Sequence, residues 1–301
     1  MKINIRRVWT ILKAAFKEWN AKDPFRESAV IAYYAIFSLP GLLVLVISLA
    51  GYFFGREAVS GHVYTQVKGM MGADTAKQIQ DMIIIASDID KTFWAMAVGI
   101  VTIIVGATGV FAQFQKSLNV IWEVKPDTTK NGVWAVVKVR LFSFGLIISI
   151  AFILLVSLVL TSVLSAIGEW IHAKWPDFLM WVFQIANFIL SFGVISLLFA
   201  IMFKFLPDAK IKWKNVWIGS MVTALLFDVG KSALGFYFGK ANPGEGYGPA
   251  GSVILILLWV SYTSMIVFYG AEFTRAYADS YEGKVKPSEH AVKDPDPKRE
   301  N

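Results

Sequence analysis

Long uncharged apolar stretches dominate the hydrophobic pattern of this 301-residue chain. Five windows of 24 to 28 residues contain no charged side chain, and a sixth is interrupted by Asp228 and Lys231. A bilayer core about 30 Å thick is crossed by roughly 20 apolar residues as a helix, and backbone groups in lipid must bond within their own segment. The pattern therefore predicts an all-α, polytopic membrane protein with a six-helix membrane domain over 28–280. Its predicted transmembrane helices are 28–55, 92–115, 141–168, 178–203, 215–239 and 249–274.

The segments outside these spans are predicted to be either helical or disordered. Residues 4–20 place apolar side chains on one helical face and basic ones on the other, which predicts an amphipathic helix within a cytoplasmic segment 1–27. Such a helix is expected to lie in the inner headgroup plane, and this is compatible with the alternative that it packs under the bundle of spans. An apolar stripe in residues 57–91 predicts an outer helical segment. The charged, proline-containing residues 281–301 are predicted to be a disordered cytoplasmic tail.

The distribution of basic side chains predicts the orientation of the spans. With six spans alternating across the bilayer, 22 lysines and arginines fall on the face that carries both termini and six on the opposite face. The positive-inside rule then makes both termini cytoplasmic. The net charge of +7 is therefore mainly a signal of topology, and it predicts no nucleic-acid partner.

Composition argues against an enzyme and against a metal site. Hydrophobic residues make up 56% of the chain and charged residues 17%, below the roughly 25% that is usual in soluble domains. The chain has no cysteine and three histidines, which excludes thiolate metal ligands and disfavours structural zinc. It contains no HExxH, P-loop or GxSxG motif. We therefore expect no catalytic residues, no cofactor and no metal.

Four polar residues inside predicted spans are the candidate intramembrane site. Asp228 and Lys231 are three residues apart, so they share a helical face and can pair. A lone charge at the bilayer centre costs about 2.5–3.5 kcal/mol on insertion scales, which makes such residues functional candidates. The alternative is a structural ion pair that holds the fifth span to a neighbour. Gln184 and Asn187 in the fourth span either line the same cavity or hydrogen bond across helices.

The two ends of the sixth predicted span carry further candidates. Glu272 and Arg275 stand three residues apart near the inner interface, and this spacing predicts a local ion pair. Before the span, residues 240–251 are rich in glycine and proline and cannot be helical throughout. They form either an ordinary outer turn or a re-entrant loop that lines protein or water.

Several short strings, taken in order, are similar to those of one membrane-protein family. They are Ala32-Tyr33-Tyr34, Ser38-Leu39-Pro40, Ser117-Leu118-Asn119-Val120-Ile121-Trp122, Arg140, Leu206-Pro207, Trp217-Ile218-Gly219, Tyr247-Gly248-Pro249-Ala250-Gly251-Ser252, Leu258-Trp259-Val260-Ser261-Tyr262 and Tyr269-Gly270-Ala271-Glu272-Phe273. Over about residues 5–280, the chain thus resembles the YihY / virulence factor BrkB family of bacterial inner-membrane proteins. The family's polar positions map onto Asn119, Arg140, Tyr247 and Glu272, and the resemblance assigns a catalytic role to none of them.

The resemblance also implies a location and a function. It implies a multi-pass protein of the bacterial cytoplasmic membrane, and the link of some relatives to envelope biogenesis implies a transporter-like protein that moves lipid or envelope precursors. The partners expected are membrane lipids, with anionic lipid drawn to Arg140 and the inner basic face, and an envelope-assembly protein. The alternatives are a non-transporting envelope-biogenesis scaffold anchored through 57–91, and a cation or proton antiporter that uses Asp228 and Lys231. Members of the family once carried a ribonuclease label, but this sequence shows no two-metal carboxylate cluster of the kind found in nucleases.

Overall fold

A computed structural model describes residues 5–38, 56–87, 109–127, 177–241 and 243–294, and almost all of its regular structure is helical. The helices are α1 (Ile5–Ala21), α2 (24–38), α3 (Arg56–Met71), α4 (Ala73–Ser87), α5 (109–122), α6 (Asp177–Phe205), α7 (Trp213–Ala241) and α8 (Gly251–Glu282). A 3-10 turn (Glu245–Ala250) joins α7 to α8 within the Gly- and Pro-rich segment, and two short strands, β1 (Val124–Pro126) and β2 (Ala291–Lys293), complete the fold.

Three of the described helices are long and apolar enough to cross a membrane. The segments are Gln184–Phe205 within α6, all of α7 and all of α8. They overlap the fourth, fifth and sixth predicted spans. The third predicted span lies outside the described residues, and only parts of the first two, in α2 and α5, fall within them.

The main hydrophobic core lies where α5, α6, α7 and α8 meet. Leu118, Phe203, Val216 and Ala271, one from each of these helices, are fully buried in it. Each helix therefore turns part of its apolar surface inward, as association of apolar helices requires. Other large apolar side chains of these helices, such as Phe188 of α6 and Leu225 and Val229 of α7, are exposed, as expected for helices that face lipid.

Helices α7 and α8 approach closely at two glycines that are matched by threonines. A Cβ atom at Gly219 would lie 1.8 Å from Thr274 Oγ1, and one at Gly270 would lie 1.9 Å from Thr223 Oγ1. Each threonine hydroxyl donates to the carbonyl of the glycine one turn earlier on its own helix, at 2.7 Å. The contact is therefore reciprocal, and only glycine fits at either position.

Helix α1 covers the predicted 4–20 segment and packs against the C-terminal half of α8. Ile11 and Ala15 are buried against Phe273 and Tyr277. The indole Nε1 of Trp19 donates to the carbonyl of Met265 at 3.1 Å, which fixes the end of α1 to the same helix. These contacts pack α1 against α8, as in the description of this segment as a helix packed under the spans.

Helices α3 and α4 occupy the segment predicted to be the outer helical region, 57–91. Ile79 of α4 is buried beside Phe238, near the end of α7, and Ile256, near the start of α8. Helix α1 contacts α8 between residues 265 and 281 instead. The α3–α4 pair and α1 therefore lie at opposite ends of the α7–α8 pair.

The prediction of a disordered tail over 281–301 is wrong for residues 281–294. Helix α8 continues to Glu282, and β2 pairs with β1 in antiparallel register, with Val124 opposite Lys293. Further along the segment, the backbone N–H of Ser288 donates to the carbonyl of Asp208 at 2.9 Å. The charged composition hides this order because backbone hydrogen bonds to distant segments, rather than buried side chains, supply it. Residues 295–301 lie outside the described residues.

Candidate functional site

Asp228 and Lys231 form an ion pair on α7. Lys231 Nζ donates to Asp228 Oδ1 at 3.1 Å, and the two side chains are 22% and 35% exposed for Asp228 and Lys231 respectively. Mutual neutralisation lowers the cost of holding both charges in an apolar helix. Because neither side chain is enclosed in the core, both charged groups stay within reach of a molecule beside α7.

The other two intramembrane candidates are not joined to this pair. Gln184 is exposed on α6, and Asn187 is half-buried with its Oδ1 atom enclosed and without a hydrogen-bond partner in the described chain. In the described residues, no hydrogen bond links either amide to Asp228 or Lys231. The two amides and the ion pair are therefore not in direct contact, and their lining of a shared cavity stays a prediction.

Glu272 forms the most deeply buried ion pair of the described chain. Its side chain is almost fully enclosed, and its Oε1 atom lies 2.5 Å from Lys22 Nζ, at the junction of α1 and α2. The predicted local pair of Glu272 with Arg275 is therefore wrong. A desolvated carboxylate needs a direct, hydrogen-bonded cation, and here Lys22, 250 residues earlier in the chain, supplies it.

Arg275 turns instead to the end of α5. It hydrogen bonds to Glu123, and its Nη1 atom donates to the carbonyl of Ile121 at 2.7 Å. Lys22 Nζ donates to the same carbonyl at 3.2 Å. The last carbonyls of a helix have no intrahelical donor and carry a partial negative charge, so two cations at the end of α5 hold it against α8 and the α1–α2 junction.

These charged groups border a partly open cleft of about 290 Å³, which we call the Lys22 cleft. Its lining residues are Trp19, Lys22, Pro24, Glu27, Ser117, Val120, Ile121, Phe268 and Glu272. The carboxylate of Glu27 accepts hydrogen bonds from Ser117 Oγ at 2.7 Å and from Gln113 Nε2 at 2.9 Å. The cleft thus presents two hydrogen-bonded carboxylates and one ammonium group between aromatic walls.

The pKa values of two groups outside the spans are shifted by these surroundings. Burial lowers the pKa of the Lys22 ammonium below its usual value, and the attraction of Glu272 only partly opposes this. Burial acts in the opposite sense on the Glu123 carboxyl, but the charge and hydrogen bond of Arg275 outweigh it and hold the Glu123 pKa below its usual value. Glu123 is therefore held as a carboxylate by its partner.

The sequence profile described as Virulence factor BrkB matches residues 15–295, almost the whole chain. This chain belongs to the BrkB family. The Lys22–Glu272 pair, Arg275 and the core of α5 to α8 all lie within the matched residues.

Curated relatives of this BrkB-family chain are described only as UPF0761 membrane proteins. The chain is 23% identical over 273 residues to one from Saccharophagus degradans, covering 88% of this chain and 58% of that protein. It is 24% identical over 289 residues to one from Teredinibacter turnerae, covering 91% and 61% respectively. A third, from Pseudoalteromonas atlantica, is 23% identical over 268 residues, covering 89% and 85%. The chain thus spans about three fifths of the length of the first two, and no solved structure matches it.

The four positions assigned to the family motif differ from one another in burial and in their hydrogen-bond partners. Asn119 is buried, donates from Nδ2 to Asp208 Oδ2 at 2.8 Å, and accepts from the backbone N–H of Asp208 at 2.8 Å. It fixes the segment after α6 to α5. Tyr247 is exposed in the 3-10 turn, Glu272 is the buried partner of Lys22, and Arg140 lies outside the described residues.

Sequence reasoning missed the residues that complete the Lys22 cleft. In the sequence, Lys22 is one of several basic side chains of the N-terminal segment, and Glu27 directly precedes the first apolar run. A signal for Ser117 was present, because it opens the string that ends at Trp122. Nothing in the local spacing of Lys22 or Glu123 indicates their partners in α8, which are about 250 and 150 residues away.

Proposed function

We propose that this BrkB-family protein is a transporter-like protein of the bacterial inner membrane that moves lipids or envelope precursors. The observation that carries the proposal is the half-exposed Asp228–Lys231 pair in a candidate span. Lys231 follows Trp217 by 14 residues, roughly 21 Å along a helix, so the pair lies at membrane depth. Leu225 and Val229 beside it are exposed, and such a surface suits a molecule with a polar headgroup and acyl chains.

The proposal includes the arrangement of the chain in the bilayer. Six spans with both termini in the cytoplasm place α1 at the inner headgroups. Trp9 and Phe16 are exposed on α1, on the side away from the contact with α8, together with Lys13 and Lys17. Aromatic and basic side chains on one helix favour an anionic lipid surface. In this proposal the protein is not an enzyme, and its partners are membrane lipids and an envelope-assembly protein rather than nucleic acid.

Lipid movement is tested directly in proteoliposomes. The full chain is reconstituted in vesicles of phosphatidylethanolamine and phosphatidylglycerol that carry a trace of lipid with a fluorescent headgroup, and dithionite quenching reports passage between leaflets. We expect the wild type to accelerate passage over protein-free vesicles and Lys231→Met and Asp228→Asn to slow it about tenfold, the factor for a lost contact of about 1.4 kcal/mol. Lys240→Met, which removes an exposed lysine at the end of α7 and outside this surface, is the matched control and keeps the wild-type rate.

Two results would contradict lipid movement and separate the alternatives. A wild-type rate equal to that of protein-free vesicles removes transport of lipid, and equal rates for all variants remove the role of the pair. A pH-sensitive dye in the same vesicles reports proton flux, so flux that depends on Asp228 and Lys231 without lipid passage identifies the antiporter. If neither lipid passage nor proton flux is observed, the non-transporting scaffold is the alternative that remains.

A further inference from the structure

A second cleft, distinct from the Lys22 cleft, lies on the other side of Arg275. It encloses about 290 Å³ of space, part of which is open solvent, and we call it the Lys284 cleft. Its lining residues are Trp122, Glu123, Arg275, Asp279, Lys284, Val285 and Lys293. They come from the end of α5, from α8, from the segment after α8 and from β2, so the ordered C-terminal segment closes one side of it.

The basic side chains of this cleft outnumber its acids, and two of them form no salt bridge with a described residue. Arg275 hydrogen bonds to Glu123 and lies 3.7 Å from Asp279, so both carboxylates already share a cation. Lys284 and Lys293 form no salt bridge with any described residue. An anion in the cleft would therefore meet two ammonium groups that form no salt bridge with a described residue. Both lysines attract Asp279, and Lys284 also attracts Glu123. Arg275 is the direct partner of both acids.

Trp122 supplies a second and independent observation. Its side chain lines the cleft and is 4% exposed, and its Nε1 atom is enclosed without an acceptor among the described residues. An indole nitrogen is a donor only, and a buried donor without a partner costs roughly 1–3 kcal/mol. Trp122 thus brings to the cleft a side chain whose N–H group has no acceptor among the described residues.

We propose that the Lys284 cleft binds a phosphate monoester group, with Lys284 and Lys293 pairing its oxygens and the Trp122 indole N–H as the buried donor. Three donors from three separate elements match the three terminal oxygens of a monoester better than the two of a carboxylate. Ammonium groups bind phosphate as point charges and need no fixed fork geometry, so two flexible lysines at the rim suffice. The monoester comes either from a lipid such as phosphatidic acid or from a small soluble phosphate monoester. This site does not depend on the transport proposed for Asp228 and Lys231.

The test measures binding to the full chain in detergent and in nanodiscs. Equilibrium dialysis with radioactive glycerol 3-phosphate, a soluble monoester, tests the soluble source. Nanodiscs that contain phosphatidic acid test the lipid source, and nanodiscs with phosphatidylglycerol, an anionic diester, are the control. Saturable binding of either monoester with at least tenfold weaker binding of the diester supports the proposal and identifies the source. Absence of saturable binding of both monoesters, or equal binding of phosphatidylglycerol, overturns it.

Variants then test whether the cleft is the site. Trp122→Phe removes the N–H and keeps an aromatic ring, and we expect it and the double variant Lys284→Gln with Lys293→Gln to weaken binding at least tenfold. Lys286→Gln changes an exposed lysine of the same segment that does not line the cleft, and we expect wild-type binding. Because the two cleft lysines are also exposed, the double variant decides the matter if Trp122→Phe does not fold. Wild-type affinity in the double variant would refute the assignment.

Discussion

At the scale of single residues, the Lys22–Glu272 pair shows how much a buried charge depends on its partner. Both side chains are almost fully enclosed, so neither charge is stabilised by bulk water. Removing one partner of such a pair leaves an uncompensated buried charge, whereas replacing both with apolar side chains is often close to neutral. The pair also joins the α1–α2 junction to α8, so its loss weakens the packing of three elements.

We therefore expect Glu272→Gln and Lys22→Met each to destabilise the protein by about 3–5 kcal/mol. The double variant Lys22→Met with Glu272→Met should recover most of this loss. Thermal unfolding in detergent measures the effect as a fall in Tm. Glu289→Gln, which breaks the exposed Lys210–Glu289 pair, is the control and should cost less than about 1 kcal/mol. Additive losses in the double variant would contradict the coupling.

Glu123 predicts a dependence of stability on pH. Arg275 holds the folded-state pKa of Glu123 below its usual value of 4.5. A depressed carboxyl pKa stabilises the folded state above pH 4.5, and this stability is lost as the pH falls through the folded-state pKa. We expect Glu123→Gln to lower Tm at pH 7 and the difference from wild type to shrink steadily below about pH 4.5. A Tm difference that stays constant between pH 7 and pH 3 would show that Arg275 does not act through the Glu123 charge.

The candidate residues could be predicted only where their partners are local. Asp228 and Lys231 are three apart on one helix, and the structure places them in contact. Glu272 and Arg275 have the same spacing, yet each pairs with a residue far away in the sequence. Spacing shows that two side chains share a helical face, but it does not show which other element covers that face.

At the scale of elements, the close approach of α7 and α8 depends on glycine. A methyl group at Gly219 or Gly270 would overlap a threonine side chain on the opposite helix. The threonines are themselves tied to their own helices by hydrogen bonds to the two glycine carbonyls. They therefore have little freedom to move away, and small residues at such positions let helix backbones approach closely.

We expect Gly219→Ala and Gly270→Ala to destabilise the fold by about 1–3 kcal/mol, the usual cost of overpacking. Gly239→Ala on the same helix α7 is the matched control, because a Cβ atom there meets nothing within 4 Å, and alanine favours a helix over glycine. Tm in detergent should therefore fall for the first two variants and stay level or rise for the third. Equal Tm values for all three would contradict a tight α7–α8 contact.

Helices and strands can be predicted from the sequence when they bury apolar surface. They are harder to predict when backbone hydrogen bonds to distant segments hold them in place. The predicted spans 178–203 and 215–239 correspond to α6 and α7 within two residues at each end, since a long, mainly apolar run defines a helix in lipid. Strands β1 and β2 are three residues each and lie more than 160 residues apart. Their pairing leaves no periodic pattern in the sequence. The prediction for the C-terminal segment therefore rests on its charged composition, which wrongly indicates disorder for residues 281–294.

At the scale of the whole molecule, the ends of the α7–α8 pair differ in what covers them. Helix α1 packs against residues 273 and 277 of α8, whereas α4 packs against residues 238 and 256. The proposed topology places the first of these ends in the cytoplasm and the second outside. The two surfaces thus provide reporters on opposite sides of the membrane.

The chain lacks cysteine, so a single introduced cysteine is an unambiguous reporter of topology. Lys17 on α1 and Lys77 on α4 are both exposed, and replacing either leaves the buried contacts intact. In intact bacterial cells whose outer membrane is permeable, we expect a membrane-impermeant maleimide to label Lys77→Cys but not Lys17→Cys. Opening the inner membrane should make Lys17→Cys react as fast as Lys77→Cys. Labelling of both positions in intact cells would mean that α1 and α4 face the same compartment, and a lysine-rich face would then lie outside against the positive-inside rule.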